Sequence, residues 1–205
     1  MNIVFYCAPM SSAIPVASVL HELQVPHETV MFDLKKDEHK KPAFLALNPN
    51  GMVPTLVVDG RPMFEAVAIM QWLGERFGVE KKLWPAVDDP ARLDAASWSA
   101  WTYVSFGSSL SRYLIASSPM SPTELHFAPI AARAKEEIDR YYGMLDARLS
   151  KQKYMLGDSF SVLDIIVGSV VLWANVCGLQ TSSYPALNAW VEDCKARPSV
   201  RAQWQ

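Results

Sequence analysis

The chain has 205 residues, 50% of them hydrophobic and 20% charged, which is a globular composition with material for one or two cores. Nineteen basic residues against 21 acidic ones give a net charge of −2, which argues against a nucleic-acid footprint or a polybasic membrane patch. Cys7, Cys177 and Cys194 have no C-x-x-C spacing, which argues against a disulfide framework or a zinc site, so no metal is expected.

The start, "MNIVFYCAPM", has no basic segment ahead of an apolar one, so no secretory signal is read and a cytoplasmic protein is expected. "NIVFYC" reads as a strand and Ala13 to Leu23 as a helix with Pro15 welcome in its first turn. "HETVMFDL" alternates as a second strand would, with Val30 and Phe32 on one face, and "KPAFLAL" reads as a short helix. "TLVV-DG-RPMF" is a hairpin signal, with Asp59-Gly60 as its two-residue turn and Pro62 marking the second arm as a sheet edge. Pro54 has no N–H for a sheet ladder, so it belongs at a strand start, a bulge or an edge. Glu65 to Phe77 carries Val67, Met70, Leu73 and Phe77 at helical spacing and ends at Gly78. The order is βαβα followed by ββα, which predicts a first domain over residues 1–78.

A linker is expected over 79–90, where "WPAVDDPAR" ends all strand signals, and a helical domain over 91–205. Asp89 to Leu114 predicts a long aromatic-rich helix, Ile130 to Leu149 a second, and Val162 to Val176 and Ala186 to Ala196 two more. "SSPMSPTELHFAP", with three prolines, is a loop. Val162 to Gly178 is almost continuously apolar, but it is shorter than the ~20 residues of a membrane span and carries Asp164 and Asn175. It is read as a helix buried on all sides. Ser161 and Asp164 at its head form a capping-box pattern, and Asp164 is read as satisfying backbone donors rather than as catalytic.

"NPNGMVPTLVVDGRPMFEAVAIMQWL" resembles the glutathione-binding half of the cytosolic glutathione S-transferase family, of the bacterial beta- and theta-like kind. "GDSFSVLDI" resembles that family's second signature, the capping box of a buried helix. The two motifs lie in order and at the family's spacing, so the resemblance spans the chain. It implies an N-terminal thioredoxin-like domain followed by an all-α helical bundle. It also implies a homodimer, glutathione as co-substrate, and conjugation of its thiolate to small hydrophobic electrophiles. Two alternatives stay open on the same fold: a glutathione-dependent disulfide reductase or peroxidase, and a non-catalytic binding module.

The resemblance also implies the site. Pro54 would be cis, and Val53 would offer its backbone N–H and C=O to the cysteinyl part of glutathione, as an added strand would. Glu65 would meet the γ-glutamyl ammonium and the Ala66 amide the carboxylate beside it, at a helix head that favours anions. Most branches have Ser in place of Ala66, so one hydroxyl contact is missing here. Lys40 and His39 are the candidates for the glycyl carboxylate, drawn from the run "DLKKDEHKKP". For the thiolate, a serine aligning with Ser11 is the donor in theta- and delta-like branches, while the beta-like catalytic cysteine aligns with Ser12. Tyr6 at the strand end is a further candidate, and both serines are also plausible helix caps. Met10, Phe106, Leu110 and Tyr113 resemble the hydrophobic substrate site of relatives. Trp98 and Trp101 are assigned to packing or a subunit contact, and Cys7, which lacks a resolving partner, to the core.

Overall fold

The computed structural model describes residues 1–203 and divides into two compact units, Met1–Ala86 together with the segment from Arg197, and Val87–Ala196. In the first unit, β1 (Ile3–Cys7), β2 (Glu28–Met31), β3 (Thr55–Val58) and β4 (Arg61–Phe64) form one sheet in the order β2-β1-β3-β4. β1 and β2 run parallel, joined through α1 (Ile14–Glu22), and the other two neighbouring pairs are antiparallel. This is the thioredoxin-like arrangement. β4 is an edge strand, so Pro62, which cannot donate to a ladder, is placed where the loss matters least.

β1 alternates strictly: Ile3, Phe5 and Cys7 are buried, and Val4 and Tyr6 are half-buried on the other face. Tyr6, Phe32 and Leu47 pack on a small cluster of Ala8, Phe44 and Val53, in which Phe44 comes from the one-turn helix α2 (Pro42–Leu45). α3 (Ala66–Leu73) packs against α1 and buries Ile69, Met70 and Leu73. It runs into a π-helical turn, Gly74–Gly78, where Trp84 lies against both glycines, its ring over Gly74; a Cβ on Gly74 would stand 2.7 Å from that ring.

The second unit is helical. α4 (Ala91–Trp101) continues through a π-helical stretch, Thr102–Phe106, into α5 (Gly107–Ser117), and α6 (Ala128–Leu149) packs along α5. α7 (Val162–Val176) is buried over nearly its whole length, with α8 (Pro185–Ala196) beside it. Among the described residues, no helix is long and apolar enough to cross a membrane. The expected capping box is formed at α7: Asp164 Oδ2 accepts from the Ser161 amide and hydroxyl, each at 2.8 Å. Its Oδ1 accepts from the Met155 amide at 2.8 Å and the Trp190 indole N–H at 2.9 Å. Burial pushes the Asp164 carboxyl up, and these four donors offset that only in part, so it stays above the ordinary carboxylate range.

The end of the chain departs from the expected division. The segment from Arg197, with the short helix α9 (Pro198–Arg201), groups with the first unit and not with the helical one. Glu22 at the end of α1 receives the Arg197 guanidinium at 2.6 Å and the Ser199 hydroxyl, and this charge-assisted tie explains the regrouping.

Candidate active site

The strand register brings the motif residues to one end of the sheet. Tyr6 pairs with Thr55 and Thr55 with Phe64, so the exit of β1, the entry of β3 and the exit of β4 stand side by side. Val53-Pro54 precedes β3, Glu65 follows β4, and Ala8 to Ala13 leads from β1 into α1. The Val53–Pro54 bond is cis, as expected from the resemblance. Among the described residues no acceptor meets the Val53 N–H, although Val53 itself is buried. A backbone N–H without an acceptor in its own chain is free to donate to a ligand.

Both serines are placed at the mouth of α1, with different attachments. Ser12 Oγ donates to the Val53 carbonyl at 3.1 Å. Ser11 Oγ donates to the Ala8 carbonyl at 2.7 Å and accepts from the Ala13 amide at 3.2 Å. Neither serine is the N-cap, which is Ala13, but Ser11 meets the orphan amide there as a cap would. Met10 lies just before them with a left-handed backbone, φ 51°, and is 71% exposed. Tyr6 is held by ring contacts with Phe32 and Phe44, which turn it into the small cluster below Val53.

Glu65 is the N-cap of α3, exposed, at φ 71° and ψ 115°. A glutamate rarely adopts such a backbone, and the strain marks a position fixed by its surroundings. It aims the first-turn amides of α3, beginning with that of Ala66, at the same end of the sheet.

The basic loop closes over the motif. Lys40 Nζ donates to the Gly51 carbonyl at 2.8 Å and reaches the Asn50 carbonyl at 3.5 Å. Its three donors are therefore partly committed to the loop that carries Val53. His39 sits on the same 3-10 turn, Glu38–Lys40, and its buried Nδ1 has no hydrogen-bond partner among the described residues. Gly51 is required beneath them. Its φ is +56°, and a Cβ there would meet Leu45 Cδ2 at 2.9 Å and Lys40 Nζ at 3.0 Å.

The proposed substrate face of α4–α5 is corrected in part. Phe106 has no exposed surface and Leu110 is 4% exposed, so both are core side chains. Phe106 is enclosed by the rings of Trp101, Tyr141 and Tyr142. Tyr113 is half-buried and Met10 exposed, and these two keep surface to offer. Trp98 and Trp101 stack edge to face, a packing role. Cys7 is buried, and burial pushes its thiol up, away from redox use. Among the described residues no cluster of three His, Cys, Asp or Glu side chains is arranged to hold a metal ion.

Two residues of the site went unremarked in the sequence. Asn48 and Thr55 are buried polar side chains bracketing Val53-Pro54. The available signal was a pair of hydrogen-bonding residues either side of a donor-free proline.

A thioredoxin-like domain with this corner, followed by a helical domain with a capped buried helix, defines a class of glutathione-handling protein. The models of the glutathione S-transferase N-terminal and C-terminal domains match residues 10–76 and 112–198. Glutathione S-transferase GstB of Escherichia coli is 33% identical over 189 residues, covering 91% of this chain and 89% of its own. Glutathione S-transferase 3 of Zea mays is 33% identical, covering 98% and 86%. In three dimensions, glutathione transferase URE2P6 of Phanerochaete chrysosporium, solved with oxidized glutathione, shares the fold at TM-score 0.87 and 24% identity, covering 99% and 94%. A glutathione S-transferase I bound with lactoylglutathione matches at TM-score 0.84 and 25% identity, covering 99% and 98%. The chain belongs to the glutathione S-transferase family and is an enzyme of the glutathione transferase class.

Proposed function

We propose that this enzyme binds glutathione across the Val53 corner and the head of α3 and transfers its thiolate to small apolar electrophiles. The observation that carries this reading is the Val53 N–H, which meets no acceptor among the described residues and lies at the sheet end where the mouth of α1 and Glu65 converge. An extended peptide laid there adds to the edge as a strand would, taking the Val53 N–H and sharing the Val53 carbonyl with Ser12. Glu65 receives the γ-glutamyl ammonium, the Ala66 amide its carboxylate, and Lys40 and His39 the glycyl carboxylate.

The chemistry is the ionisation and attack of one thiol. Free glutathione, with a thiol pKa near ~8.5, is only a few per cent thiolate at neutral pH. Ser11 is the proposed donor to the thiolate, and the amides at the head of α1 add their dipole. Ser11 turns its hydroxyl from the Ala8 carbonyl to the thiolate, while Ser12 keeps its own on the Val53 carbonyl as a brace between the mouth of α1 and the corner. The proton leaves to solvent and the sulfur attacks the electrophilic carbon. With an aryl halide, a carbon–sulfur bond forms and the carbon–halogen bond breaks. Met10, exposed just before the mouth of α1, remains a candidate for the apolar side.

A homodimer, a cytoplasmic setting and a role in detoxification complete the reading. Leu93 and Val104, both on the continuous α4–α5 run, stay 77% and 71% exposed, which suits a subunit contact. Calorimetry with glutathione and initial rates with a model aryl halide test the proposal, with glutathione-dependent reduction of a model disulfide or peroxide as the competing measurement. Binding without either turnover would leave a binding module instead.

A further inference from the structure

Asn48 is 2% exposed and every polar group it owns is used. Its Nδ2 donates to the Met52 carbonyl at 2.8 Å and to Thr55 Oγ1 at 3.0 Å. Its Oδ1 accepts from the Asn50 amide at 3.1 Å. Its own amide donates to the Phe44 carbonyl and its carbonyl accepts from the Gly51 amide, both at 2.9 Å. Thr55, fully buried, closes the triangle by donating to the same Met52 carbonyl at 3.3 Å. Fully satisfied networks of this kind hold a single arrangement, because each member loses a partner if it moves.

The consequence lies one atom pair further on. The Met52–Val53 peptide bond is trans; the cis bond is the next one. In a planar trans unit, the carbonyl of one residue and the N–H of the next point in opposite directions. Two buried donors draw the Met52 carbonyl inward. The Val53 N–H on the same plane must then point the other way, and among the described residues it meets no acceptor. Pro54 has no N–H, so no ladder bond at that residue can set this orientation.

We propose that Asn48, supported by Thr55, is the positioning residue of the peptide-binding edge: its carboxamide sets the direction of the Val53 N–H. The binding half of this inference rests on the glutathione reading above. The orientation half does not.

Asn48→Asp tests it with almost no change of shape. The carboxylate keeps the acceptor for Asn50 but replaces both donors, so it faces the Met52 carbonyl with like charge and the peptide plane turns. The expected result is a glutathione Kd raised about tenfold or more, as for one lost hydrogen bond plus a misdirected donor. The loss falls on KM for glutathione and not on KM for the aryl halide, a split that general loosening of the fold does not produce. Thr55→Val should raise the glutathione KM several-fold, while Thr55→Ser, which keeps the hydroxyl, restores it. Residual dipolar couplings of the Val53 amide in 15N-labelled protein report the N–H direction without any ligand. An unturned Val53 N–H in folded Asn48→Asp would overturn the proposal, as would a glutathione Kd within about twofold of the parent. If Asn48→Asp does not fold, a glutathione KM left unchanged by Thr55→Val overturns it. If the parent binds no glutathione, the functional reading fails, and the Val53 couplings still decide the positioning role.

Discussion

The Ser12 hydroxyl donates to the Val53 carbonyl at 3.1 Å, while Ser11, one residue earlier, donates to the Ala8 carbonyl at 2.7 Å. The two serines read alike in sequence and do different things in space. Ser12 ties the mouth of α1 to the Val53–Pro54 corner. Ser11 sits at the first amides of the helix, where an anion is best stabilised. Ser11→Ala is therefore expected to lower turnover about tenfold near neutral pH, the loss of one hydrogen bond to a charged group. Much of the loss should return at high pH, where the thiol ionises unaided. Ser12→Ala is expected to act chiefly on glutathione KM. Rate against pH for the two variants separates them, and a pH-dependent loss in Ser12→Ala alone would exchange the roles.

At the head of α3, Glu65→Ala should weaken glutathione binding by roughly 1.5–3 kcal/mol, the range for a charge-assisted contact. Ala66→Ser should act in the opposite sense. A hydroxyl at the first position of α3 adds a donor to the γ-glutamyl carboxylate, and a gain of about tenfold in affinity is expected. Calorimetry on both variants checks the pair. Unchanged affinity in both would remove the head of α3 from the site.

Asp164 carries the stability of the helical unit. Replacing it by Ala strands two buried backbone amides and the Trp190 indole N–H, and about 3 kcal/mol or more should be lost. Trp190→Phe removes one donor and leaves the carboxylate three others, so through the hydrogen bond alone it should cost less. Urea unfolding midpoints give the order. Equal losses would mean that indole packing, not the carboxylate network, dominates.

Glu22 gives the pH dependence. Burial pushes its carboxyl up, but the Arg197 guanidinium and the Ser199 hydroxyl outweigh this and hold it below the ordinary carboxylate range. A carboxyl depressed in the folded state contributes stability above its unfolded pKa, near ~4.3, and loses that contribution as pH falls toward the folded value. The parent should therefore lose more thermal stability than Glu22→Gln between pH 5 and pH 3 (roughly the window the linkage sets). Parallel melting curves across that range would contradict the role given to this pair.

Local signals were legible in the sequence. The Asp59-Gly60 hairpin, the edge position of Pro62 and the Ser161–Asp164 capping box each depend on residues within a few positions of one another. The Val53-Pro54 corner was legible through its resemblance to a family motif. Periodicity could place Phe106, Leu110 and Tyr113 on one face but could not say what that face meets. Phe106 meets the rings of Trp101, Tyr141 and Tyr142, and Leu110 is buried as well, so the apolar stripe is mostly core. The tie of Arg197 to Glu22 joins the two ends of the chain, and no local pattern announces it. The Asn48–Thr55 network was hidden for a related reason: its bonds fix the direction of a backbone plane, which side-chain patterns do not report.

Glutathione held at this site should have its thiol ionised. Ultraviolet difference absorbance of the enzyme–glutathione complex against pH measures the bound thiolate directly. The thiol should titrate about one to two units below that of free glutathione, the equivalent of ~1.5–3 kcal/mol from a hydroxyl bond and a helix terminus. In Ser11→Ala most of that shift should disappear. A bound thiol that titrates with free glutathione in the parent enzyme would contradict the account.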